Sequence, residues 1–459
     1  MDTPRRAGPS GDTIVAIATP AGRGGIGVVR VSGPQTAAIA MALFGALPPP
    51  RYASLRVFRD AENQPLDEGL ILYFPKPNSF TGEDVLEFHG HGGPIVMDLL
   101  IARFLELGAR PARPGEFSER AFLNGKIDLV QAEAVADLIA SSSASAARAA
   151  MRSLQGEFSR RTNDIVSDLV RLRAQVEAAI DFPDEEIDVH TDHRLERDCG
   201  AIRTSIATLL ISAREGCLLH EEMTVALIGR PNSGKSSLLN ALARHDRAIV
   251  SAVPGTTRDV LREQIDLDGM SLHLIDTAGL RESGDEIERE GVRRARAAAA
   301  QADYLLLVID DADGDDAVNG LPGIPILPAR YTLVRNKIDL TGRSPGLLLA
   351  PETDSGQVAE VAISARTGTG VDALRAHLRS LRAHELAAET PFSARRRHVD
   401  ALHRADRALE SACRELWLRR GELAAEELRL AQRTLGEITG EFTPEDLLGQ
   451  IFSSFCIGK

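Results

Sequence analysis

The chain has 459 residues, 43% hydrophobic and 26% charged, and its net charge is −13. That length predicts about three domains, each able to bury a core, and the composition excludes chain-wide disorder, a collagen-like repeat and a disulfide scaffold. An acidic chain does not hold nucleic acid by wrapping phosphates, so any RNA contact is expected to be local or shared with a partner.

The four cysteines, Cys199, Cys217, Cys413 and Cys456, include no Cys-x-x-Cys pair. This argues against a zinc site and suits a reducing cytosol. No apolar run reaches the length of a spanning helix, and Met1–Arg6 leads into a Gly/Pro/Ser stretch unlike a signal-peptide core. The expectation is a cytoplasmic protein with no membrane contact. Of 53 basic residues only five are lysine: Lys76, Lys126, Lys235, Lys337 and Lys459. In so arginine-rich a chain, a surviving lysine marks a place where a compact ammonium is needed. Lys76, in a Pro-flanked loop, is assigned to chance.

Residues 1–120 read as mixed α/β. Thr13–Ile17 and Gly27–Val31 are β-branched runs separated by glycines, and Glu68–Phe74 and Asp84–Phe88 continue the strand pattern. Pro94–Leu107 predicts a helix with Ile95, Leu99 and Leu100 on one apolar face. From about Ile127 the texture turns helical. Phe158, Ile165, Leu169, Leu172, Val176 and Ile180 recur at helical spacing. Asp181–Asp192 is an acidic, Pro-containing break, after which helical texture resumes to about His220. Residues 223–380 alternate strand and helix, the pattern of a parallel doubly wound sheet. Helices return to the end, where Thr443-Pro444-Glu445-Asp446 starts one and Leu447, Leu448, Ile451, Phe452 and Phe455 give it an apolar stripe. The predicted fold class is therefore α/β plus all-α. Its domains are 1–122, a helical domain in two halves at 123–220 and 381–459, and an α/β cassette inserted between the halves at 221–380.

The cassette carries the chemistry. Strand Met223–Ile228 leads into Gly229-Arg230-Pro231-Asn232-Ser233-Gly234-Lys235-Ser236, and Ser237 opens a helix. This is a P-loop in its required context: backbone N–H groups and a helix N-terminus cradle phosphates, Lys235 reaches the β/γ-phosphates and Ser236 holds Mg²⁺. Ser251-Ala252-Val253-Pro254-Gly255-Thr256-Thr257 supplies switch threonines, followed by Arg258-Asp259. Asp276-Thr277-Ala278-Gly279 ends a strand and brings Asp276 to Mg²⁺ and the Gly279 N–H to the γ-phosphate. Asn336-Lys337-Ile338-Asp339 ends another strand. Asp339 accepts two hydrogen bonds from guanine, and adenine would leave those lone pairs unpaired. Ser364-Ala365-Arg366 suits the guanine O6. Together the motifs predict GTP as substrate. Leu280 follows Gly279, where Ras-like enzymes carry a water-orienting Gln, so catalysis must draw on another group.

Further motifs flank the cassette: Asp12–Ala16, Gly22–Gly27, Ser79–Asp84, His89–Pro94, Arg113–Ser118, Phe122–Lys126 and Phe455-Cys456-Ile457-Gly458-Lys459. With them the chain resembles, end to end, the tRNA modification GTPase family MnmE (TrmE). The resemblance implies that residues 1–122 form a folate-binding and dimerisation domain. Arg30, Glu87, Lys126 and Lys459 then stand at contacts for a tetrahydrofolate derivative, 5-formyl- or 5,10-methylene-tetrahydrofolate. On the residues alone, Arg30 and Glu87 could equally form an internal ion pair. It also implies K⁺ held by Asn232, Ser251, Val253 and Thr256, with Mg²⁺ on Ser236 and Thr257. Glu288 would act on the attacking water, Arg258 and Arg281 would be switch arginines, and the GTPase domains would dimerise when K⁺ is bound. Implied partners are a second copy, an FAD-dependent protein called MnmG (GidA) in a heterotetramer or larger complex, and tRNA. The implied product is wobble uridine bearing an aminomethyl or carboxymethylaminomethyl group at C5. Cys456, beside Lys459 in a tail anchored by the apolar stripe, is a candidate nucleophile or proton carrier for that chemistry, or else a small buried hydrophobe.

Two other readings fit the cassette. A ribosome-assembly GTPase of the Era/Der kind would carry a basic C-terminal RNA module, but residues 383–459 hold more acidic than basic residues. A scaffold that binds GTP without hydrolysing it would not need Lys235, Ser236, Asp276 and the switch threonines together.

Overall fold

The computed structural model describes residues 11–141, 143–181, 194–218, 223–230, 232–244, 262–267, 270–276, 302–314, 331–349, 359–383, 391–442, 445–453, 455 and 457–458. They fall into two compact units. One comprises 1–136, 151–210 and 397–459, and the other 137–150 and 211–396.

The first unit opens with β1 (Ile14–Ile17), β2 (Gly24–Ser32), α1 (Thr36–Phe44), β3 (Ser54–Arg59), β4 (Pro65–Phe74), β5 (Val85–Gly92), α2 (Pro94–Glu106), β6 (Arg110–Pro111) and α3 (Glu116–Leu123). The six strands form one sheet in the order β3-β4-β5-β2-β1-β6. Among the described strands of this sheet, only β1 and β6 pair in parallel. Val29, Val31, Phe58, Ile71, Leu86, Phe88, Leu100 and Phe104 share its core. α2 departs from the expected face: Met97, Leu100 and Phe104 are buried, whereas Ile95 and Leu99 are exposed. An i, i+3, i+7 row meets the sheet, and Ile95 and Leu99 lie outside it. α1 and β3 had no sequence expectation. β3 (Ser-Leu-Arg-Val-Phe-Arg) alternates too briefly to stand out, and its buried Phe58 is matched only by contacts distant in sequence.

Helices α4 (Leu129–Ala140), α5 (Ala144–Leu154), α6 (Glu157–Asp181) and α7 (Arg194–Leu218) follow. The predicted α6 stripe is real, with Phe158, Ile165, Leu169, Leu172 and Val176 buried. The second unit then builds β7 (Met223–Ile228), α8 (Lys235–Arg244), β8 (Arg262–Leu267), β9 (Met270–Asp276), β10 (Tyr304–Asp310), β11 (Tyr331–Asn336), α9 (Ile338–Thr341), β12 (Gly346–Leu349), β13 (Ala359–Ala362) and α10 (Val371–Ala383). Its seven strands run in the order β12-β13-β11-β10-β7-β9-β8. The central five are parallel, and β8 and β12 are antiparallel edges. Strands buried on both faces read as near-continuous apolar runs, which β7 and β10 do. α8 begins at Lys235, not Ser237, because the P-loop turn feeds directly into the helix.

The chain ends in α11 (Arg396–Trp417), α12 (Gly421–Thr439) and α13 (Glu445–Ser453). Within the first unit, α11 is tied to α4 by a buried charge cluster. Arg397 donates to both oxygens of Glu133 at 2.8 and 2.7 Å, and His398 Nε2 lies 3.0 Å from Glu133. Burial opposes charge on Glu133, but His398 and Arg397 overcome it and hold the carboxyl far below its ordinary range. The α13 stripe packs as expected: Leu448, Ile451, Phe452 and Phe455 cluster with Leu129 and Ala132. Each such large side chain contributes about 1.5–3 kcal/mol when fully buried.

Two of the cysteines meet in the fold. Cys199 and Cys413 are joined by a disulfide with Cα atoms 5.9 Å apart, 214 positions apart in sequence. α7 and α11 pack antiparallel, and no spacing rule reveals that proximity. Among the described residues no cluster of His, Cys, Asp and Glu could hold a metal, and no helix is long and apolar enough to cross a membrane.

Candidate functional site

The nucleotide end of the second unit is built by strand ends. β7 stops at Ile228, and the chain must turn at once onto α8. Asn232 and Gly234 take positive φ, +63° and +94°, which curls the loop. The loop leaves no room for side chains: a Cβ on Gly229 would lie 2.1 Å from the Val308 carbonyl oxygen, and one on Gly234 would lie 2.2 Å from Asn336 Nδ2. Lys235 Nζ donates to the Gly229 and Arg230 carbonyls, both at 2.8 Å, which holds an ammonium across the loop. Ser233 Oγ is buried without a hydrogen-bond partner among the described residues. Ser236 and Ser237 are exposed in the first turn of α8, where the helix dipole favours an anion.

The other end is tied to this loop by one side chain. Asn336, at the end of β11, donates from Nδ2 to the Ser233 carbonyl at 2.9 Å and accepts the Ala365 N–H at 2.9 Å. Lys337 takes positive φ (+67°) and donates to Asp310 at 2.7 Å. Burial works against the Asp310 charge, but Lys337 and the Ala312 N–H outweigh it and hold its carboxyl below the ordinary range. Asp339 is exposed and accepts the Ser364 hydroxyl at 2.7 Å through one oxygen. Arg366 is exposed. The structure thus gathers Asn232, Ser233, Gly234, Lys235, Ser236, Ser237, Asn336, Lys337, Asp339, Ser364, Ala365 and Arg366 at one edge of the sheet. Asp276 ends β9, paired in register with Leu227 of β7. Asp310, which the sequence reading missed, follows an apolar strand with no motif to mark it.

Ser251–Thr257, Arg258, Thr277–Gly279, Leu280, Arg281, Glu288, Cys456 and Lys459 lie outside the described residues, as do Thr443, Pro444 and most of the acidic break.

A second polar site lies on the sheet of the first unit. Arg30 sits between buried Val29 and Val31, and Glu87 between buried Leu86 and Phe88, so the pleat turns both to the opposite face. β2 and β5 pair them directly, and Arg30 Nε and Nη2 each lie 2.8 Å from Glu87 Oε1. The internal ion pair is therefore formed. His89 Nε2 is 3.1 Å from the other Glu87 oxygen. The Arg30 guanidinium lies 5.8 Å from the ring centres of both Phe80 and Phe117. The end of the chain joins the site: Arg30 Nη1 lies 3.4 Å from the Gly458 carbonyl oxygen. Gly458 takes φ +94°, and a Cβ there would meet the Ile17 carbonyl oxygen at 2.4 Å. Lys126 is exposed, its stem beside Gly82. The aromatic flanks, His89 and the Gly458 carbonyl were not picked out from sequence, because only the pairing of β2 with β5 and the docking of the tail assemble them.

Two family models match the chain, "GTP-binding protein TrmE N-terminus" over residues 13–126 and "MnmE helical domain" over 129–456. Among similar proteins, one of Stutzerimonas stutzeri is 55% identical over 98% of this chain and 100% of its own length. One of Pseudomonas aeruginosa is 56% identical, covering 98% of this chain and 99% of its own. One of Alkalilimnicola ehrlichii is 57% identical, covering 97% and 99%. Each of these relatives is named tRNA modification GTPase MnmE. With more than half its residues identical to theirs across nearly the whole length, the chain belongs to the MnmE family of tRNA modification GTPases.

Proposed function

We propose that the protein hydrolyses GTP within a complex that modifies C5 of wobble uridine in tRNA, with a tetrahydrofolate derivative as one-carbon source. The observation that carries the nucleotide half is Asn336, whose amide links the P-loop carbonyl of Ser233 to the N–H of Ala365. Phosphate and base ends are thereby held at a fixed separation, as one nucleotide requires. The close-packed glycines and the ammonium over the loop fit a polyphosphate. Ser236 and Thr257 would hold Mg²⁺, and Asn232, Ser251, Val253 and Thr256 would hold K⁺; each ion would supply charge neutralisation of the phosphates. Lys235 would orient the β/γ-phosphates, Asp276 would stand near the Mg²⁺, the Gly279 N–H would reach the γ-phosphate, and Glu288 would act on the attacking water through a second water.

The Arg30–Glu87 site fits a folate in chemistry. Its carboxylate can accept from a pterin, its guanidinium can hold an anionic tail, and two phenyl rings flank them. Lys126 and Lys459 add cations, and Cys456, two residues before Gly458, acts as nucleophile or proton carrier. In this reading the protein is a cytoplasmic homodimer through residues 1–122. It joins the FAD-dependent MnmG in a heterotetramer or larger assembly, which shares the binding of tRNA, and K⁺-dependent association of the GTPase domains drives its cycle. The insertion of the α/β cassette at 221–380 between helical halves 123–220 and 381–459 would let that cycle act on both halves.

Asp339→Asn tests the nucleotide reading. It replaces an acceptor pair by one acceptor and one donor, so affinity should fall for GTP by about tenfold or more and rise for XTP. Unchanged preference in a calorimetric titration would refute it.

A further inference from the structure

We propose that Cys199 and Cys413 form a reversible oxidation site: a low-molecular-weight disulfide closes the pair, a thiol reductant opens it, and the closed bond staples α7 to α11. The inference rests on the reading above only in assuming a compartment that is ordinarily reducing.

The geometry supports two redox states. The Cα separation of 5.9 Å lies inside the range a disulfide spans without backbone movement. The helices do not need the bond to stay together. Both helices bury apolar side chains of their own, Leu195, Ile202, Ile206 and Leu209 on α7 and Leu402, Ala405, Leu409 and Ala412 on α11. Arg203 of α7 pairs with Asp406 of α11 at 3.1 Å, one turn from Cys199 and two turns from Cys413. With the bond open, the Cys199 thiol has an acceptor ready, the Leu409 carbonyl oxygen 3.7 Å from its sulfur. Either state therefore fits the same seam. Access is one-sided: Cys199 is fully buried, whereas Cys413 is only partly covered. Cys217 is buried and lies outside the disulfide.

That asymmetry sets the order of steps. The Cys413 thiolate attacks oxidised glutathione, forming a mixed disulfide and releasing one glutathione thiolate. Cys199 then gives its proton to solvent and attacks the Cys413 sulfur, expelling the second glutathione thiolate. Two protein thiols are oxidised and one small disulfide is reduced to two thiols. The helix that leads into the α/β cassette and the helix that follows it are then covalently joined, and the closed ring contains the whole cassette.

The test equilibrates the folded full-length protein in glutathione buffers from fully reduced to fully oxidised, quenches with an alkylating reagent and maps thiols by mass spectrometry. Peptides containing Cys199 and Cys413 should appear cross-linked in oxidised buffer and separately alkylated after native reduction, with Cys217 unchanged. The apparent Tm of the oxidised protein should exceed that of the reduced protein by about 5 °C or more. Cys413→Ser and Cys413→Ala should both abolish the cross-link and the shift. Free Cys199 and Cys413 in fully oxidised buffer would overturn the proposal, as would a bond that only denaturant lets the reductant reach, or equal Tm values. Thiol mapping reads neither nucleotide binding nor tRNA modification, so its failure leaves the proposed function standing.

Discussion

Replacing Gly458 by alanine perturbs the end of the chain and nothing upstream. Two costs follow from the backbone. At φ +94° an L side chain is strained, by about 1–2 kcal/mol. The new Cβ would also sit 2.4 Å from the Ile17 carbonyl oxygen and 3.1 Å from Ala18 Cα. Neither atom can give way cheaply, because β1 is paired on one side with β2 and on the other with β6, and the Ala18 N–H donates to Val28 at 2.7 Å. The tail must move instead, losing the Arg30 contact to the Gly458 carbonyl; a hydrogen bond to a charged group contributes about 1.5 kcal/mol at the low end. The sum is about 3 kcal/mol, or a shift of roughly 100-fold in tail docking. α13 stays anchored through Phe452 and Phe455, so the melting temperature should hold. GTP turnover, read at the other unit, should be unchanged. Binding of 5-formyl-tetrahydrofolate by calorimetry and the modified wobble uridine in tRNA nucleosides by mass spectrometry should both fall at least tenfold. Wild-type values for both in Gly458→Ala would refute the idea that tail and sheet form one site.

Hydrolysis should be faster in KCl than in NaCl at matched ionic strength, because Leu280 cannot orient water and a cation near Asn232 offsets developing charge; equal rates would remove K⁺ from the mechanism. Glu288→Ala should bind GTP normally and lose most turnover, and normal turnover would exclude Glu288 from the site. Acid should weaken the first unit through Glu116. Burial opposes its charge, but hydrogen bonds from Arg110, the Arg113 N–H and Arg120 lower its pKa from 4.5 to about 2. The contribution is therefore complete above about pH 4.5 and lost as pH falls toward 2. Glu116→Gln should flatten that part of the stability–pH curve, measured by urea melts, while destabilising the protein at pH 7 because buried Arg120 loses a partner.

The P-loop and the Asn336–Asp339 and Ser364–Arg366 motifs were legible because their chemistry is local. Each motif occupies a few consecutive residues at a strand end, and Asn336 shows its type in sequence even where its two bonds do not. The sheet of the first unit was half legible. β1, β2, β4 and β5 follow their apolar runs, but β3 and α1 are specified by packing around Phe58 and Ile39 that no short window contains. α2 misled because Ile95 and Leu99, outside its buried row, combine with Leu100 to mimic a core face. The Arg30–Glu87 pairing needs register, and the Cys199–Cys413 bond needs the antiparallel docking of two helices separated by the whole cassette. Local chemistry survives in a sequence; long-range juxtaposition does not.

Gly115 has a consequence for how the molecule comes into being. It takes φ +67°, and a side chain there would strike the Phe452 carbonyl oxygen, because α13 lies against the start of α3. The N-terminal sheet is thus shaped to receive a helix that lies more than 300 residues further along the chain. At about 5–20 residues per second, an interval of roughly half a minute separates translation of the receptor from that of its insert. Throughout that time Leu129, Phe122 and the Gly115 turn lack the apolar surface that covers them in the finished protein. A nascent chain has its phosphate loop before it has its complete N-terminal site, so loss of the last turn of α13 would be felt more than 300 residues upstream, in the part of the protein that folded earliest.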